Sequence, residues 1–183
     1  MPSYYMSEDL ARFGEISKAN PKGWDGFLNW YQQTMAPGAA VKGVRITGTN
    51  GVATDFTAAK RMATTLRGAH DAGTWPQAII ASFGSPPCDD DPGEDLPPLG
   101  LELVAEAVDL HEEAVILAAA GNRGVDVPFY PAAFRSEYPA VVSIGALDAT
   151  SDGDGHPWTA ATRAPRVAPF SNRGDWVSAY TPG

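Results

Sequence analysis

Apolar residues in this chain gather into four short runs: "VKGVRIT" from Val41, "AIIASF" from Ala78, "AVILAAA" from Ala114 and "AVVSIGAL" from Ala140. The middle two barely alternate with polar residues. Unbroken apolar strands are expected where both faces of a parallel sheet are covered. A fifth, weaker strand is predicted over Trp176 to Tyr180. Between the runs the period lengthens. In "TDFTAAKRMATTLRGAHDAG", Phe56, Ala59, Met62, Ala63, Leu66 and Ala69 recur at three- and four-residue steps, with Thr54 or Asp55 as N-cap and Gly73 as the stop. In "PPLGLELVAEAVDLHEEA" the stripe is Leu99, Leu103, Ala107 and Leu110 or His111, widened by Val104 and Val108.

Strand, helix, strand, helix, strand is the order of right-handed βαβ crossovers. The predicted fold class is therefore α/β: three layers, with a mostly parallel sheet and helices on both faces. Residues 1–35 stand apart as an N-terminal helical segment. "SEDLARFGEISKAN" and "GWDGFLNWYQQTM" read as two short amphipathic helices, broken at "NPKG", whose aromatics Phe13, Trp24, Phe27, Trp30 and Tyr31 suit core contacts. Residues 36–183 form the main unit.

Composition narrows the function classes. A chain of 183 residues, 44% hydrophobic and 19% charged, is long enough for one domain with a substantial core. Its net charge of −9 argues against nucleic acid or an anionic membrane surface as partner, since both reward Lys and Arg. No apolar run approaches the roughly 18 residues of a membrane helix, and "MPSYYMSEDLARFG" has no signal-peptide core, so export is unsupported and the compartment stays open. The single cysteine, Cys88, excludes an internal disulfide framework, and its acidic neighbours in "CDDDPGED" disfavour a thiolate. No cofactor is expected. Two acidic loops, "CDDDPGED" and "DATSDGDG", offer the carboxylates of a structural calcium site, but neither completes an EF-hand pattern, and solvated loop is the favoured reading.

The chemistry is expected at the carboxyl ends of the strands, where parallel sheets place their functional loops. The stretch "VILAAAGNRG", Val115 to Gly124, ends a buried strand in two glycines around one amide. Asn122 would present a rigid N–H donor just beyond the strand. That is the basic part of an oxyanion hole. Read alone, such an Asn more commonly caps its own turn.

The order of the segments around it changes that balance. "APGAAVKGVRITG", "AIIASFG", "AVILAAAGNRG", "FYPAAFRSEYPAVVSIGALD" and "VAPFSNRGDWVSAYTPG" follow one another as in the central part of the catalytic domain of subtilisin-like serine peptidases. From Ala36 to Gly183 the chain resembles this family, the subtilases. The resemblance implies peptide-bond hydrolysis by an endopeptidase, with Asn122 as the oxyanion donor. It also implies that Ser82, Phe83 and Gly84 offer backbone to an extended substrate. Ala119, Ala120 and Gly121 would then form the opposite wall of the pocket for the residue before the scissile bond. Small residues on these rims let a peptide approach closely enough to pair by β-augmentation. Arg123 lies beside that pocket and would favour acidic or polar side chains there. The Tyr130–Pro131 bond matches one that is cis in the family.

The family's triad motifs are missing. Asp-Thr/Ser-Gly, His-Gly-Thr and Gly-Thr-Ser-Met/Phe-Ala do not occur, and the region before Ala36 holds no histidine. His70, His111 and His156 read as surface or capping residues. Ser82 and Ser171 lack a base, and there is no G-x-S-x-G elbow. The expectation is a fragment of a serine endopeptidase, inactive alone, that acts on peptide or protein substrate when completed. The alternative is a non-catalytic relative that binds peptides or a partner. A third reading, a Rossmann-like nucleotide module, rests on the turn "TGTNG" before a helix. It fails on its G-x-x-G spacing and on Asp55, which would repel phosphate; stabilisation by ATP or NAD would revive it.

Overall fold

The computed structural model describes residue 40 and residues 53–87, 96–111, 114–148 and 166–182. The predicted strand from Val41, the N-terminal helical segment, the "TGTNG" turn, His156 and nearly all of both acidic loops lie outside the described residues.

Among the described residues five strands form one sheet. β1 (Ala78–Ala81), β2 (Val115–Ala119) and β3 (Val141–Asp148) run parallel in that order, and β5 (Ala179–Pro182) continues parallel to β3. β4 (Arg166–Val167) is a two-residue antiparallel partner at the end of β3, too short to leave a mark on the hydrophobic pattern. The α/β class and the mostly parallel sheet hold.

The fifth strand begins later than expected, at Ala179 rather than Trp176. The reason is a turn: the Val177 N–H donates to the Gly174 carbonyl at 3.0 Å, and the Trp176 ring is buried inside that turn against Gly174. Hydrophobicity at Trp176 reports packing, not strand.

Among the described residues two helices pack side by side, the second of them against β2. α1 (Asp55–Asp71) starts at Thr54, whose hydroxyl oxygen accepts the Thr57 N–H at 3.1 Å, and ends just before Gly73. Both ends match the sequence signals. α2 (Leu99–Asp109) starts after Pro98 without a side-chain cap.

The helix faces are where the prediction shifts. α1 buries Ala58, Ala59, Met62 and Leu66, while Phe56 and Ala63 point to solvent. α2 buries Leu101, Val104, Ala105 and Val108. Leu99, Leu103 and Leu110 are 67%, 55% and 78% exposed, so of the predicted stripe the widening residues Val104 and Val108 are buried and its leucines are not. α2 carries two apolar stripes, and periodicity alone ranks neither. The helix crossing decides: a Cβ at Gly100 would lie 3.0 Å from that of Ala59, so α2 is turned to bring Gly100 against α1.

The core lies between these helices and one sheet face, where Ile79, Ile116 and Val141 sit in register. The opposite face, with Ile80, Leu117 and Val142, is only half-buried. A short 3₁₀ turn, Ala132–Ser136, lies against β2 and β3 and inserts Phe134. Phe134 is among the largest fully buried side chains, with its ring centroid 4.6 Å from that of Tyr130.

Candidate active site

Parallel pairing in register brings two strand exits together. Ala81 lies opposite Ala118, so the chain leaves β1 as Ser82–Phe83–Gly84 beside the point where it leaves β2 as Ala120–Gly121–Asn122. The second exit stays in the ladder one residue longer, the Ala120 N–H donating to the Ile144 carbonyl at 2.9 Å. Ala120 is buried, whereas Ala119 and Gly121 are half-buried. Ser82 and Gly84 are likewise half-buried, and the Phe83 side chain anchors its rim in the core.

One aromatic ring spans the two rims. A Cβ at Gly84 would collide with the Phe129 ring and stand 2.8 Å from the Tyr130 carbonyl oxygen. A Cβ at Gly121 would stand 3.1 Å from Phe129 Cδ1. Backbone bonds between Ser85 and Tyr130, at 2.9 and 2.8 Å, tie the first rim to the loop carrying the ring. The Tyr130–Pro131 bond that follows is cis. Both strand exits thus pack against the same ring.

Asn122 and Arg123 are exposed at the tip of the second exit. Gly121 enters this tip at φ +104°, a conformation L side chains rarely adopt. The loop does not rest on itself. A second Asn-Arg-Gly triplet, 172–174, lies against the first, 122–124. The Asn172 N–H donates to the Gly121 carbonyl at 3.1 Å, and Asn172 Oδ1 accepts the Arg123 N–H at 2.9 Å and the Val125 N–H at 3.5 Å. The Gly124 N–H reaches the Phe170 carbonyl at 2.7 Å, and the Arg173 N–H reaches that of Val125 at 3.0 Å. Asn122 is exposed; Asn172 is 1% exposed. Sequence reasoning singled out the first and passed over the second. The repeated triplet was its one visible signal.

The described histidines stand far from this tip. His70 closes α1 and His111 follows α2, both at the amino end of the sheet. They flank Trp75, with His111 stacked on it at 4.4 Å and His70 edge-on at 6.3 Å. Five residues of β2 at about 3.3 Å each place that end about 16 Å from the Asn122 loop. Ser171 is fully buried, its hydroxyl accepting the Ala146 N–H at 3.0 Å and donating to the Asn172 carbonyl at 3.1 Å. It supports structure and offers no nucleophile. Among the described residues no group of three or more His, Cys, Asp or Glu is placed to hold a metal ion.

A crossover sheet with a glycine-held asparagine at its rim defines a class, and the sequence comparison identifies it. The sequence model of the subtilase family matches residues 15–183, and the chain belongs to that family. The matched range begins within the segment that the sequence reading sets apart at 1–35. No curated protein matches.

Solved structures similar to it include the prenylagaramide maturation protease PagA, 21% identical over 77% of this chain and 42% of that one, with a TM-score of 0.49. A second is the psychrophilic subtilisin-like protease Apa1 from the Antarctic psychrotroph Pseudoalteromonas sp. AS-11, 21% identical over 79% of this chain and 26% of that one, with a TM-score of 0.48. The self-cleaved protease domain of PatA is 26% identical over 77% and 43%, with a TM-score of 0.43. The chain spans less than half the length of each of these structures.

Proposed function

We propose that this chain carries the oxyanion and substrate-strand portion of a subtilisin-type serine endopeptidase, and that the Asp, His and Ser of the triad come from polypeptide outside these residues. The observation that carries the reading is the exposed Asn122 at the carboxyl end of β2, beside the Ser82–Gly84 rim. In this reading the Asn122 amide donates to the oxygen of a substrate carbonyl as it becomes tetrahedral. Ser82, Phe83 and Gly84 pair with the peptide backbone on one side, and Ala119, Ala120 and Gly121 wall the other. In subtilisin itself, loss of the corresponding donor costs about 10²–10³ in rate, a magnitude taken over from that enzyme. The distance of His70 and His111 from the tip supports a base supplied from elsewhere, so the chain alone should not hydrolyse peptides.

The test needs a ligand that mimics the tetrahedral centre without a nucleophile. A phosphinic pseudopeptide does this, because its P–O⁻ occupies the place of the oxyanion. Asn122→Ala should weaken its binding, measured by calorimetry, by roughly ten- to a hundredfold, the worth of a hydrogen bond to a charged acceptor. Unchanged affinity would remove Asn122 from the reaction.

The same assay tests Arg123, exposed next to the pocket. An Asp side chain before the phosphorus should bind better than Lys by several-fold, and Arg123→Glu should reverse the order. If the order is the same in both proteins, Arg123 does not select the substrate.

A further inference from the structure

Resting on this reading of Asn122, we infer that Asn172 is a positioning residue that holds the oxyanion loop in its donating shape. Asn122 sits between two peptide units, and Asn172 holds one group from each. Its N–H takes the carbonyl of Gly121, and its side-chain oxygen takes the N–H of Arg123. Fixing the carbonyl before a residue and the N–H after it fixes the direction in which that residue's Cα–Cβ bond leaves the chain. The side chain that aims Asn122 therefore belongs to a different loop.

That loop is itself tied to the sheet. The Ala168 N–H donates to the Ala146 carbonyl at 2.9 Å, and the Ser171 hydroxyl accepts the Ala146 N–H at 3.0 Å. Ser171 then donates to the Asn172 carbonyl at 3.1 Å. The line of support runs from β3 through Ser171 and Asn172 to the two sides of Asn122. Every link is a hydrogen bond, and both side chains in it are buried. A buried amide satisfied in this way costs little to keep and much to lose. Such an arrangement holds a donor in place before the ligand arrives, which is what electrostatic stabilisation of a transient charge requires.

The experiment is a double-mutant cycle on the same 183-residue chain and the same phosphinic pseudopeptide. Asn172→Ala should lose at least half, on a logarithmic scale, of the affinity that Asn122→Ala loses. The double variant should bind within about threefold of Asn122→Ala, because Asn172 acts through the residue already removed. A residue with a merely structural role would multiply its loss with that of Asn122→Ala. Such multiplication, or full affinity in Asn172→Ala, overturns the inference. If Asn172→Ala has no cooperative melt, Asn172→Asp takes its place: it keeps the accepting oxygen and should keep the affinity within about threefold, whereas a folded Asn172→Asp as weak as Asn122→Ala overturns the inference. Full affinity in Asn122→Ala defeats the oxyanion reading and this inference together. A loss in Asn122→Ala alone defeats only the inference.

Discussion

Replacing Gly121 with alanine should lower the melting temperature of the chain by roughly 10 °C and speed hydrogen exchange at the Arg123 and Val125 amides. Two costs add. A side chain at φ +104° carries backbone strain of about 1–3 kcal/mol. The new Cβ would also lie 2.5 Å from Asn172 Nδ2. Asn172 is the end of a side chain and could swing away, but its oxygen holds two backbone N–H groups. Moving it takes the partner from two part-buried groups, at up to about 1–3 kcal/mol. Thermal melts followed by circular dichroism give the first number, and amide exchange by NMR gives the second. A melting point within 3 °C of the parent, with both amides still protected, would show that the loop tolerates a side chain there.

Phe134→Ala acts at the other end of the molecule's logic, on volume rather than on backbone shape. The ring is fully buried between Tyr130, at 4.6 Å, and Tyr138, at 6.0 Å, and it sits where the 3₁₀ turn meets β2 and β3. Truncating such a phenylalanine costs about 3–5 kcal/mol in lost transfer energy and residual cavity. A domain has only about 5–15 kcal/mol in total, so the urea midpoint should fall by roughly a fifth or more. Because the 3₁₀ turn follows Tyr130 and Phe129 directly, the loss should also loosen the rim that Phe129 supports. A urea midpoint shifted by less than a tenth would mean that the surrounding side chains collapse into the space.

Much of this architecture is legible in one dimension, and the rest is not for identifiable reasons. Continuous apolar runs located β1, β2 and β3, whose residues are alternately buried and half-buried, so that no position is polar enough to break the run. Thr54 and Gly73 marked the ends of α1 because capping is local chemistry. The buried face of α2 is only partly legible, because Leu99, Leu103 and Leu110 have the same spacing as a core stripe. Which stripe turns inward is set by Gly100 meeting Ala59 on another helix, a fact with no local trace. Trp176 misled for the related reason that a buried ring in a turn scores like a strand residue. At the site, the strand-then-glycine pattern pointed to Asn122, whereas Asn172 sits in the same triplet with the opposite burial. Only the fold distinguishes an asparagine exposed at a strand exit from one buried against its neighbour.

The single phenyl ring of Phe129, 5% exposed and touching the glycines of both strand exits, has a mechanical consequence. Separating the exits would open a void on one side of the ring, and drawing them together would compress it. The gap therefore behaves as a fixed gauge rather than as a pair of jaws.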